Sequence, residues 1–151
     1  MRNYNKAFTM IELVFVIVVL GILSAIAIPK FAATRTDAQI SKGRADISSI
    51  RSAIVTERQA RLIKGEPNFI NSLSSSTTTL FDGNGTTGNE LLMYGIKAAT
   101  TDGHWSTTGS FPFLNYVYKV GGSSCNFTYA PASGTFNLAA SQDAICDNLV
   151  D

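Results

Sequence analysis

Residues 7–28 are almost wholly apolar, rich in Val, Ile and Leu, with Glu12 as the one charged side chain in the run. Coiled as a helix, a run of this length extends ~33 Å, enough to cross a bilayer core of ~30 Å. After Pro29 the pattern becomes amphipathic. Ile40, Ile47, Ile50, Ala53 and Ile54 fall near one helical face, and Arg44, Asp46, Arg51 and Arg58 occupy other positions. Gly43 weakens this stretch slightly, and Gly65 with Pro67 ends it. The pattern predicts one helix from about residue 9 to about residue 64, roughly 80 Å long, with Gly21 and Pro29 as the places where it bends. Two helices broken at Pro29 fit the same pattern.

Beyond Gly65 the chain changes style. Residues 72–79 are nearly all Ser and Thr, and Phe81-Asp82-Gly83-Asn84-Gly85 continues a polar, glycine-rich connection. Aromatic and β-branched residues predict strands at 91–98, 114–120, 125–129 and 135–138, with hairpin turns at Gly121-Gly122 and Ser133-Gly134. Alternation along them places Tyr116, Tyr118, Phe127 and Phe136 on a buried face. The expected fold is α+β: a long N-terminal helix whose outer half packs against a small C-terminal antiparallel sheet.

Charge adds an asymmetry. The chain has 12 basic and 11 acidic residues in 151, a near balance that gives no sign of direct nucleic acid binding. Residues 30–64 carry a net +5, whereas residues 65–151 carry −5. A basic stem and an acidic head either steer one copy toward another or are two solvated surfaces that never meet. The two cysteines, Cys125 and Cys146, pair if the domain is exported into an oxidising compartment, closing a loop worth ~3 kcal/mol. Otherwise they are two separate buried thiols.

Catalysis finds little to work with. The single histidine, His104, sits beside Trp105 in a Thr- and Gly-rich stretch that reads as an exposed loop. No G-x-S-x-G, P-loop or paired-acid motif occurs. Asp82, Asn84 and Glu90 begin like a calcium loop, but Thr87 stands at its central glycine and Met93 at its final glutamate. Asp143 and Asp147 offer at most a loose calcium contact. The chain is expected to be a non-enzyme with no metal site and no cofactor.

Glu12 is out of place in a plain membrane anchor, since an acid at mid-bilayer depth costs several kcal/mol. The segment Ala7-Phe8-Thr9-Met10-Ile11-Glu12-Leu13 resembles the cleavage and methylation motif of type IV pilins and type II secretion pseudopilins. The resemblance implies a peptidase cut between Ala7 and Phe8, with N-methylation of Phe8. Glu12 then becomes the fifth residue of the mature chain, Gly21 the fourteenth and Pro29 the twenty-second, all familiar positions in the family. In one respect the chain departs from the family, which nearly always has Gly before the cut where this chain has Ala7. The resemblance further implies that Glu12 of one subunit meets the Phe8 amine of the next. Its organisation would be a leader at 1–7, a membrane and filament-core helix at 8–29, a stem at 30–64 and a head at 65–151. The implied partners are other pilin or pseudopilin subunits, the prepilin peptidase, the inner membrane, and an assembly platform with its ATPase. The implied location is single-pass in the bacterial inner membrane with a periplasmic head, then a filament in the periplasm or at the cell surface. Its service is protein secretion or DNA uptake. The family also often closes its C-terminal region with a disulfide, which here would join Cys125 and Cys146.

A second reading is an ordinary secretory signal ending at the Ala-x-Ala of Ala25-Ile26-Ala27, followed by a binding domain that uses Trp105, Phe111 and Phe113. Against it stand the length of the apolar run and the glutamate inside it.

Overall fold

The computed structural model describes residues 8–86, 90–111, 113–140 and 142–150, and of Phe113 only the backbone. Ala7 and the rest of the expected leader lie outside the described residues, as does Thr87. Helix α1 runs Met10–Ile63, within about a residue of its predicted ends. Gly21 and Pro29, the expected bend points, both lie within helical residues. The helix stops as Gly65 and Pro67 predict. Gly65 takes φ +84°, its N–H donates to Leu62 O, and the Glu66 N–H donates to Arg61 O at 2.9 Å. This paired arrangement satisfies carbonyls that the last turn leaves open.

The chain forms two compact units, one ending at Arg35 and one beginning at Thr36. In the first, every side chain from Phe8 to Ile26 is exposed. The second unit contains the sheet. Strands β1 (Thr79–Leu80) and β2 (Ile96–Lys97) form a short antiparallel ladder. Strands β3 (Trp105–Ser110), β4 (Phe113–Val120), β5 (Ser123–Ala130) and β6 (Thr135–Leu138) form an antiparallel sheet in chain order. A short helix α2 (Ala144–Asp147) follows. The turn at Gly121-Gly122 has positive φ at both residues, the geometry that suits a two-residue hairpin.

Two strand expectations need correction. The strand predicted at 91–98 is reduced to Ile96–Lys97, with Met93 and Tyr94 exposed. The apolar letters of residues 91–95 are consumed by a loop that buries Leu91, packs Leu92 partly against the core and leaves Met93 and Tyr94 in solvent. Conversely, residues 105–110, read as loop, form β3, which pairs in full with β4 from Trp105↔Tyr118 to Ser110↔Phe113. The stretch lacks the apolar alternation that marks a strand, and the neighbouring strand supplies the order.

The core joins the sheet to the outer part of α1. Gly43, Ile47, Ile50, Ile54 and Glu57 are buried, at alternating spacings of four and three. Gly43 is a requirement rather than a weakness, because a Cβ there would meet Tyr118 and Leu149 at 2.7 Å. Facing these residues is an aromatic cluster of Phe81, Trp105, Tyr116, Tyr118, Phe127 and Phe136, all 2% exposed or less. Phe81 stacks on Tyr116 at 4.7 Å and meets Trp105 edge-on at 5.4 Å. Its backbone holds φ +60°, a conformation that costs of order 1–3 kcal/mol and is offset by burying the ring. The serine-rich stretch locks it there. Buried Ser74 Oγ accepts the Phe81 N–H at 2.9 Å and lies 3.0 Å from the Tyr116 hydroxyl. Burial pushes the Tyr116 phenol up to about 12.

Glu57 is the exception in this seam. Its carboxylate is buried with no hydrogen bond, 3.6 Å from Arg61, which itself pairs with Glu66 at 2.8 Å. Burial raises its pKa above the usual 4.5, only partly opposed by Arg61. A raised pKa means that the fold favours the protonated form, so Glu57 costs stability as pH rises through and above 4.5. Glu57→Gln should therefore stabilise the unit beginning at Thr36 by ~1 kcal/mol at neutral pH. The gain should vanish below the usual glutamate value, as read by urea unfolding across pH.

Candidate functional site

The expected functional residues gather at the start of α1. Thr9 precedes the first helical turn and Glu12 lies within it. The Thr9 N–H and hydroxyl donate to one Glu12 carboxylate oxygen at 3.0 and 2.8 Å, and the Glu12 N–H returns a bond to Thr9 Oγ1 at 3.3 Å. This reciprocal capping box satisfies amide donors that a helix start leaves open, and the carboxylate sits at the positive end of the helix dipole. Sequence alone gives Glu12 only a neighbour's amine, and Thr9 is the partner that expectation lacks. The signal was present as Thr-x-x-Glu ahead of an apolar run.

Phe8 is 84% exposed and lies beside the box, so the residue expected to carry the new amine is next to the acid expected to receive a neighbour's. Beyond them, Ile11, Leu13, Val16, Ile17, Val18 and Val19 leave apolar surface open on every side of the helix. Such a surface requires lipid or other apolar helices around it. The described helix is long and apolar enough to cross a membrane.

The stem's positive charge has a different use from the two considered in the sequence. Lys42 donates to Gly103 O, Arg44 to Asn148 O, Arg51 to Phe136 O and Arg61 to Asn68 O, all within the same chain. Arg58 lies 4.0 Å over the Phe69 ring. The cations thus hold backbone carbonyls of their own head, where a cationic donor strengthens each bond. The acids act similarly: Asp46 accepts the Trp105 indole N–H at 3.0 Å, and Asp102 accepts the Gly122 N–H at 3.0 Å.

The other predicted residues take modest roles. His104 is exposed, its Nδ1 3.1 Å from Thr101 Oγ1. Trp105 is fully buried, which corrects its candidacy as a ligand-binding loop residue. Phe111 is half exposed at the end of β3, and the Phe113 side chain lies outside the described residues. Among the described residues no group of three or more His, Cys, Asp or Glu side chains is placed to hold a metal ion.

Cys125 on β5 and Cys146 on α2 form a disulfide, with Cα atoms 5.4 Å apart and both residues buried. It closes a separation of 21 residues and fixes the chain's end on the sheet. Replacing both cysteines by serine should lower the unfolding free energy by ~3 kcal/mol. Denaturant unfolding with and without reductant checks this, and the serine variant should not respond to reductant.

Comparison with known proteins agrees with the N-terminal geometry. Residues 2–28 match the model of the prokaryotic N-terminal methylation motif. Over 56 residues the chain is 39% identical to the type IV major fimbrial protein FimA of Dichelobacter nodosus, covering 37% of this chain and 36% of that relative. It is 40% identical over 57 residues to a fimbrial protein of Moraxella nonliquefaciens, covering 38% and 37% of the two chains. The chain thus spans little more than a third of the length of the curated relatives it matches. No solved structure matches.

Proposed function

We propose that this chain, which is type IV pilin-like, is a structural subunit of a membrane-rooted filament, cut between Ala7 and Phe8 and N-methylated at Phe8. The observation that carries the reading is the exposed apolar helix that begins one turn from the proposed cut and is headed by Glu12. The named relatives are fimbrial proteins, which supports the same class and gives no support to an enzyme.

In this reading residues 1–7 are the leader, 8–29 the membrane and filament-core helix, 30–64 the stem and 65–151 the head. The subunit waits in the inner membrane with its head periplasmic. A prepilin peptidase on the cytoplasmic side frees the Phe8 amine. Glu12 of one subunit then pairs with the Phe8 amine of the next, exchanging part of its capping box for an ionic contact. In an apolar core the pair fixes register more than it adds stability, since desolvation offsets much of the attraction. An unpaired charge there is the costly state, so a subunit out of register is rejected. Lipid and packed helices are both apolar, so burial gives little net drive for leaving the membrane. The work comes from an assembly platform and its ATPase.

The filament's service divides by phenotype: missing exported proteins in a deletion strain for secretion, lost transformation for DNA uptake. The subunit role is tested first by Glu12→Leu. The variant should remain in the membrane fraction yet yield no sheared filaments, because it removes the register contact and leaves the span apolar. A normal filament yield would contradict the role.

A further inference from the structure

The loop between β1 and β2 carries Asp82-Gly83-Asn84-Gly85-Thr86. Asn-x-Thr without proline is the acceptor pattern for N-linked glycans on exported proteins. The pattern occurs twice in the chain, here and at Asn126-Phe127-Thr128. The two sites differ physically.

Around Asn84 the backbone is turned and open. Gly83 and Gly85 take φ +96° and +78° on either side of it. The Thr86 N–H donates to Asn84 Oδ1 at 3.1 Å, a turn that draws the asparagine amide toward the threonine. Asn84 is partly exposed, and Gly85 and Thr86 are exposed. The Asn84 amide nitrogen makes a 3.3 Å bond to Asn71 Oδ1, which uses one of its two hydrogens. The loop's base is fixed by Gly83 N–H to Leu73 O and by Asp82, whose carboxylate accepts the Ser75 N–H and hydroxyl. Asp82, partly exposed, sets a negative charge two positions ahead of the acceptor, a handle for a cationic enzyme site.

Asn126 offers none of this. It lies inside β5, between β4 and β6, in regular pairing with Val117. Its N–H donates to the Gln142 side chain at 2.8 Å, and its carbonyl accepts from Gln142 and from Ala139. Ser124, not an acid, stands two positions ahead. A transferase cannot turn this backbone without breaking the sheet.

We propose that Asn84 is the acceptor for an N-linked glycan. The donor class is a saccharide on a polyprenyl diphosphate. Asn84 Nδ2 bonds to the sugar C1, the C1–oxygen bond to diphosphate breaks, polyprenyl diphosphate leaves with the electron pair, and one amide proton passes to a base on the transferase. The glycan would project from the head beside the exposed loop. This inference rests on the proposed export of the head, so the test must separate the two.

Peptide mass spectrometry under non-reducing conditions, on protein taken from its own cells, does so. The expected result is a saccharide mass on the Asn84 peptide, lost in Thr86→Ala, with Cys125–Cys146 oxidised in both. Thr86 is exposed, so this variant keeps the fold. A bare Asn84 in protein with an oxidised disulfide overturns the acceptor assignment and leaves export standing. A glycan on Asn126 or on Ser or Thr hydroxyls, with Asn84 bare, overturns it too. Bare Asn84 with reduced cysteines overturns both the assignment and export.

Discussion

The apolar start of α1 finds no cover among the described residues. From Phe8 to Ile26 every side chain of this apolar stretch is exposed, a surface that water would penalise heavily. That deficit sets the rest. The stretch must sit in lipid or among other apolar helices, and each environment demands an answer for Glu12. Within one chain the answer is Thr9, which gives the carboxylate two donors. In a filament it would be a neighbour's amine. On the proposed reading the same acid would suit both states without being stranded in either, and one helix could occupy both.

The head solves a different problem. A sheet of four short strands needs a surface to cover its aromatic face, and Ile47, Ile50 and Ile54 provide it. Close approach depends on Gly43, where a methyl group would collide with Tyr118 and Leu149. The polar margin is closed by cations: Lys42, Arg44, Arg51 and Arg61 each reach a backbone carbonyl of the head. Charge that suggests an intersubunit surface in the sequence is used to seal the head to its own stem. The disulfide completes the closure at the chain's end.

The helix was legible because its signals are local: a long apolar run, an isoleucine stripe, and a Gly-Pro stop. Strands β4, β5 and β6 were legible from aromatic alternation and paired turn residues. Strand β3 was not, because Ser106, Thr107 and Thr108 carry no apolar alternation, Gly109 disfavours a strand, and β4 holds them. The 91–98 prediction failed for the opposite reason, apolar letters in a loop. Ser74 likewise looked like linker, yet its hydroxyl joins Phe81 to Tyr116 in the core, a long-range arrangement with no local signature. At the N-terminus the offsets of Glu12, Gly21 and Pro29 identified the motif, whereas the Thr9–Glu12 box was written in the sequence and passed over.

The central claim is that the chain becomes a filament subunit by exposing an amine at Phe8. The most direct measurement is mass spectrometry of the N-terminal peptide of protein extracted from membranes. The account predicts a mature chain beginning at N-methyl-Phe8, with Ala7 removed despite its extra methyl relative to glycine. An intact Met1, or a terminus at Ile28 left by an ordinary signal peptidase, would contradict it and leave Glu12 without a neighbour's amine to meet.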